Sequence, residues 1–139
     1  KDLNGKRLCS MTGTTSAVNV KEKFAKQTQL MEQPGMAECA TALLSGIVDA
    51  ATTDDIILAG LASASRGRLR VVGKPFTQEY YGIGVKKGNT DLKNKINNAI
   101  TDMIQDGSWQ RAISDNTRGV AYTPNAKYNP PVPNGKGNK

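Results

Sequence analysis

The 139 residues suffice for one domain, or for one small lobe with part of another. They are 37% hydrophobic with a mean hydropathy of −0.48, and no stretch approaches the roughly 18 apolar residues that a membrane-spanning helix needs. The net charge of +7 does not single out nucleic acid as a partner: 16 of the 19 basic residues and all 12 acidic ones precede Gly119, and the absence of histidine removes the commonest zinc ligand and general base.

The chain opens at Lys1 in "KDLNGK", with neither Met nor a secretory leader, and reads as a position inside a larger protein. "RLCSM", residues 7–11, predicts a short buried strand. A glycine and hydroxyl residues follow, Thr12-Gly13-Thr14-Thr15-Ser16, and then residues 15–26 predict a helix with Val18 and Phe24 among its apolar positions. Glycine permits a sharp turn and Thr or Ser caps a helix, so this junction points main-chain N–H groups outward. Such a junction is either plain capping or an anion site built without charged side chains.

"TQLME", residues 28–32, predicts a second strand. Pro34-Gly35 breaks it, and Met36, Cys39, Ala40, Leu43 and Leu44 recur at helical spacing until Ser45-Gly46. "IVDAAT", residues 47–52, predicts a third strand. Residues 54–65 predict a helix with Asp54 and Asp55 in its first turn, where the helix dipole favours acids. "RGRLR", residues 66–70, is a dense basic cluster without interleaved aromatics and reads as a solvated loop. "LRVVG" and "YYGIGVKK", residues 69–73 and 80–87, predict a fourth and fifth strand.

Residues 89–107 carry the clearest helical stripe, Leu92, Ile96, Ala99, Ile100, Met103 and Ile104, and a short helix capped by Ser108 follows. From Gly119 the chain holds four prolines, three glycines and no acid, the composition of a flexible tail over 119–139. Strands alternating with helices predict an α/β fold with a mostly parallel sheet flanked by helices.

In open α/β sheets ligands sit beyond the carboxyl ends of the strands. Two complementary stretches fall there. The turn around Gly13, Thr14 and Thr15 offers N–H and hydroxyl groups to an anion, and Thr53-Asp54 offers a carboxylate to a cation. A free α-amino acid carries both charges close together. Asp54 could equally be a first-turn acid, and Thr14 and Thr15 simple caps. No phosphate-loop or dinucleotide motif is present, and Asp54 and Asp55 diverge on a helix rather than forming a catalytic pair, so no enzyme is expected. Cys9 and Cys39 are two buried thiols or one disulfide.

"DLNGKRLCSMTGTTSAVNV", "ALLSGIVDAATTDDIILAG" and "YYGIGVKKGNTDLKNKINNAITDMIQDGSWQRAI" together resemble the second half of polar amino-acid-binding proteins, the extracytoplasmic solute receptors of ABC importers with the type 2 periplasmic-binding fold. The resemblance covers residues 2–113. It implies a small ligand-binding lobe over 1–79 and a crossover with the C-terminal part of the large lobe over 80–118. It implies that Gly13, Thr14 and Thr15 receive the ligand α-carboxylate, that Asp54 binds the α-amino group, and that Thr53 lies near the ligand side chain. The cysteines look most similar to those of glutamate-binding lipoproteins, which implies a Cys9–Cys39 disulfide and a membrane-anchored, extracytoplasmic setting. Glutamate or glutamine would be the ligand, with glutamate favoured. The importer's membrane subunits and the missing N-terminal half of the large lobe would be partners, and no cofactor, metal or nucleic acid is implied. Two other classes remain open: a structural or interaction fragment that has lost binding, and a basic nucleic-acid module.

Overall fold

A computed structural model describes residues 2–133. The chain divides into two compact units between Pro75 and Phe76. The first contains β1 (Arg7–Met11), α1 (Ser16–Lys23), β2 (Gln29–Gln33), α2 (Met36–Leu44), β3 (Ala50–Ala51) and α3 (Asp55–Ala64). Its strands form one parallel sheet in the order β2-β1-β3.

The central strand shows why this order holds. β1 is buried at Leu8, Cys9 and Ser10, as a strand covered on both faces must be. Leu8 pairs with Leu30 and Ala50 across the sheet and packs with Val20 of α1 and with Ala25 on one face. Cys9 pairs with Met31 and Ala51 and packs with Cys39 and Ala42 of α2 and with Val48 on the other. Alternation along one strand thus seats α1 and α2 on opposite faces. A disulfide between Cys9 and Cys39, with Cα atoms 5.6 Å apart, fastens α2 to the sheet.

The third strand is shorter than its composition predicts. Ile47 and Val48 both direct their N–H groups to the carbonyl of Ala42, at 2.9 and 3.3 Å. They complete the end of α2 rather than a ladder, and only Ala50 and Ala51 pair with β1. The predicted fourth and fifth strands are not formed. Residues 69–73 and 80–87 are extended or turning, without a ladder among the described residues, and Val72, Tyr80, Tyr81 and Ile83 are exposed. Strand-like composition makes a strand only where another strand offers its N–H and C=O groups. The basic cluster does lie on a loop. Arg66, Arg68 and Arg70 are exposed, and buried Ser65 shapes the turn by donating to the Ala62 carbonyl at 2.7 Å and accepting from the Leu69 N–H at 2.9 Å.

In the second unit, α4 (Thr90–Gln105) and α5 (Ser108–Asn116) pack on each other. Asn89 caps α4 by accepting from the Leu92 N–H at 3.1 Å. The cap of α5 is Gly107 rather than Ser108. The break between the helices requires φ of +78° there, which glycine adopts without strain, and Ser108 becomes the first helical residue, its N–H bound by Asp106 Oδ1 at 2.7 Å. Neither helix buries a residue, although Leu92, Ile96, Ile100 and Ile104 line one side of α4. After Gly119, Asn125 organises a turn: its carbonyl accepts the N–H groups of Tyr128 and Asn129, and its side chain accepts that of Lys127.

Candidate functional site

Because β1 and β3 are parallel neighbours with Cys9 opposite Ala51, the segments that follow them leave the same edge of the sheet, with strand axes about 4.8 Å apart. The Thr52 N–H extends the pairing to the Cys9 carbonyl at 2.9 Å. The turn through Gly13, Thr14 and Thr15 therefore emerges beside Thr53 and Asp54. The fold brings together the two stretches that sequence analysis assigned to opposite charges of one ligand.

Each residue of the turn has a defined place. Gly13 has φ of +77°, a left-handed conformation that side-chain-bearing residues resist. Thr14 folds back on the end of β1: its N–H and its Oγ1 both approach the Met11 carbonyl, at 3.2 and 2.8 Å. Thr15 is the N-cap of α1, is exposed, and makes no side-chain capping bond. Its carbonyl accepts the Asn19 N–H at 2.9 Å, which closes the first helical turn. The amides of that first turn have no carbonyl available within the helix, and the helix dipole makes them the positive end.

On the neighbouring strand end, Asp54 is the N-cap of α3, with extended backbone (φ −63°, ψ 147°) and no side-chain capping bond. It is half-buried, as is Thr53, whereas Asp55 is exposed and accepts its own helix's Ile56 N–H at 2.7 Å. Asp55 serves the helix, and Asp54 stands at the strand end. A shallow concavity of about 470 Å3, lined by Val18, Lys21, Glu22, Lys26 and Leu30, includes none of these residues.

Two contributors escaped the sequence. Ser10, 1% exposed, places its Oγ 3.0 Å from Thr14 Oγ1 beneath the turn. The signal was a hydroxyl at the fourth position of β1, directly after the apolar Leu8 and Cys9. Gln33, at the carboxyl end of β2, accepts both the N–H and the hydroxyl of Thr12 through its carbonyl, at 2.9 and 3.2 Å. The turn is thereby tied to the strand on its far side, which only the strand order β2-β1-β3 reveals.

No family model matches the chain. The glutamate-binding protein GluB of Corynebacterium efficiens is 45% identical over 118 residues, which is 81% of this chain and 40% of that protein. The ABC transporter glutamine-binding protein GlnH of Bacillus subtilis is 42% identical over 105 residues, 76% of this chain and 38% of its own. Among solved structures, an ancestral arginine-binding protein bound to arginine matches with a TM-score of 0.64 at 35% identity, over 85% of this chain and 53% of that one. The chain spans about two fifths of the curated relatives it matches. Over that portion, sequence and fold together make it a relative of the amino-acid-binding proteins of ABC transporters.

Proposed function

We propose that this chain forms one wall of the substrate-binding component of an extracytoplasmic ABC amino-acid importer, and that the ligand is a free polar amino acid, glutamate before glutamine. The reading rests on one observation: a Gly-Thr-Thr turn leading into the positive end of α1 and the half-buried Asp54 leave the same edge of one parallel sheet, side by side. Gly13, Thr14 and Thr15 frame the α-carboxylate, Asp54 holds the α-ammonium, and Thr53 borders the ligand side chain. Hydrogen bonds to charged groups contribute on the order of 1.5–3 kcal/mol each. Three or four of them hold a small zwitterion at micromolar affinity after association costs are subtracted.

The names of the relatives support amino-acid binding, and the glutamate-binding protein of Corynebacterium efficiens supports glutamate as the first ligand to test. The disulfide supports a compartment outside the reducing cytosol. The opposite wall, the lipid anchor and the surface that meets the importer's membrane subunits belong to the same proposal. The protein acts by binding and release, and performs no chemistry on its ligand.

Calorimetric titration tests this. Glutamate, glutamine, arginine and duplex DNA are titrated into the chain alone, and into the chain joined to the remaining portion of the Corynebacterium efficiens relative. Micromolar amino-acid binding in the joined protein is the expected result. Salt-sensitive DNA binding without an amino-acid response would overturn the proposal, and no response at all would leave an interaction fragment.

A further inference from the structure

We infer that Ser10 is a positioning residue for the amino-acid site: through a buried hydroxyl relay it locks the Gly13–Thr15 turn and keeps the Thr14 hydroxyl from donating to the ligand. The inference rests on the binding function proposed above and divides the labour within it.

The direction of the relay follows from counting protons. Thr14 Oγ1 lies 2.8 Å from the Met11 carbonyl. A carbonyl only accepts, so Thr14 donates its one hydroxyl proton there. Ser10 Oγ, 3.0 Å from Thr14 Oγ1, must then be the donor of that second bond. The chain runs Ser10 to Thr14 to the Met11 carbonyl, which also receives the Thr14 N–H at 3.2 Å. Both donors of Thr14 are therefore turned inward. A carboxylate arriving at this edge meets donors from Thr15 and the first turn of α1 and none from Thr14, which serves as their frame.

The cost of the arrangement argues for its purpose. Ser10 is 1% exposed, at the central strand of the sheet, where an aliphatic side chain would add apolar contact. Burying a hydroxyl is tolerated only when it is bonded. Here its single donated bond goes to the turn that holds Gly13 in its left-handed conformation.

Amide hydrogen exchange by NMR on this chain tests the relay itself. Ser10→Ala should speed exchange at Thr14 about tenfold, the loss of roughly one net hydrogen bond, with Leu30 to Glu32 of β2 unchanged as the control for folding. Thr14→Val should do the same, and Thr14→Ser, which keeps the hydroxyl, should restore the parent rate. Unchanged exchange at Thr14 in Ser10→Ala, or failure of Thr14→Ser to restore it, would overturn the relay.

The ligand role is read by titrating glutamate into the joined protein. Ser10→Ala and Thr14→Val should each weaken binding by a similar factor, about three- to tenfold, and the double variant should lose no more than either alone, because both act through one chain of bonds. A Thr14→Val loss well beyond that of Ser10→Ala, additive in the double variant, would show Thr14 touching the ligand and would overturn the division of labour. A parent that binds no amino acid would overturn the binding function, and the exchange rates would still decide whether the relay holds the turn.

Discussion

Arg7 and Asp49 are joined by a two-pronged ion pair that ties the start of β1 to the residue before β3. Arg7 Nε reaches Asp49 Oδ2 at 3.1 Å and Nη2 reaches Oδ1 at 3.1 Å, while the main-chain N–H of Arg7 also donates to Oδ2 at 2.8 Å. Nη2 bonds the Gly46 carbonyl as well, at 3.0 Å. The pair spans the starts of the two strands whose carboxyl ends lead into the two candidate binding segments.

That pair predicts a pH dependence. The side-chain hydrogen bonds from Arg7, then its main-chain bond, lower the Asp49 carboxyl to about 2 from an ordinary 3.8. A carboxyl with a lower value in the folded state favours folding above its unfolded value, and that contribution fades as protons bind in the folded state. Stability of the parent should therefore fall as pH drops from about 4 toward 2. Asp49→Asn should flatten the curve in that window. Both side chains are well exposed, so the effect is modest and shrinks in salt. Urea unfolding at a series of pH values measures it, and identical slopes for parent and variant would remove the pair from the account.

Asp54→Asn should separate binding from folding. Asn keeps the size and one side-chain oxygen of Asp54, so the variant should unfold at nearly the parent's denaturant concentration. In the joined protein it should lose roughly 2–5 kcal/mol of amino-acid affinity, as when one partner of a buried charge pair is removed. Calorimetry that finds affinity within twofold of the parent would reduce Asp54 to a helix-terminal acid.

Gly13→Ala should cost about 1–2 kcal/mol of stability through backbone strain alone. No atom stands within 4 Å of where its Cβ would sit, so crowding contributes nothing, whereas φ of +77° disfavours any L-residue with a Cβ. Gly13→Asn, which tolerates left-handed backbone better, should recover part of the loss. Equal stabilities for all three in urea unfolding would show that the turn relaxes.

The Cys9–Cys39 disulfide closes a loop of 30 residues. On the chain-entropy account, opening it costs about 3.5–4 kcal/mol. Unreduced protein should weigh two hydrogens less than the reduced chain in mass spectrometry. Replacing both cysteines by Ala should lower the urea midpoint accordingly, and two alkylatable thiols in protein from its native compartment would refute the bridge.

The alternation of strand and helix up to Ala64 was legible because short apolar runs mark the strands and apolar residues at helical spacing mark α2 and α3, and because Gly13, Pro34-Gly35 and Gly46 punctuate it. The pairing of the Gly13 turn with Asp54 was legible for the same reason: parallel strands put their carboxyl ends on one edge. Residues 69–73 and 80–87 were misread because strand composition speaks of burial, while a strand needs a partner that the sequence does not name. Ser10 was passed over because its value lies in a rotamer and a neighbour four residues on. Gln33 was passed over because its contact with Thr12 depends on strand order.

Residues 120–133 offer a last test, since the composition of 119–139 predicts a flexible tail while the contacts of 120–133 describe an organised turn; residues 134–139 lie outside the described residues. Trp109 Nε1 donates to Asn129 Oδ1 at 2.9 Å. Beside it the Tyr128 ring meets Tyr80 edge-on, with centroids 5.8 Å apart, and Lys127 Nζ lies 5.2 Å from the centre of the Tyr128 ring. The turn around Asn125 holds Tyr128 and Asn129 in place for both contacts. Trp109 is the one tryptophan of the chain, so tryptophan fluorescence reports on the surroundings of this indole and of no other. Asn129→Ala removes the acceptor and should shift the emission to longer wavelength as water reaches the indole. Tyr128→Ala should speed proteolysis after Tyr80 and Tyr81, because the ring contact that anchors the exposed Tyr80 is gone. Emission and cleavage unchanged in both variants would mean that the segment after Gly119 behaves as its composition predicts and rests on nothing.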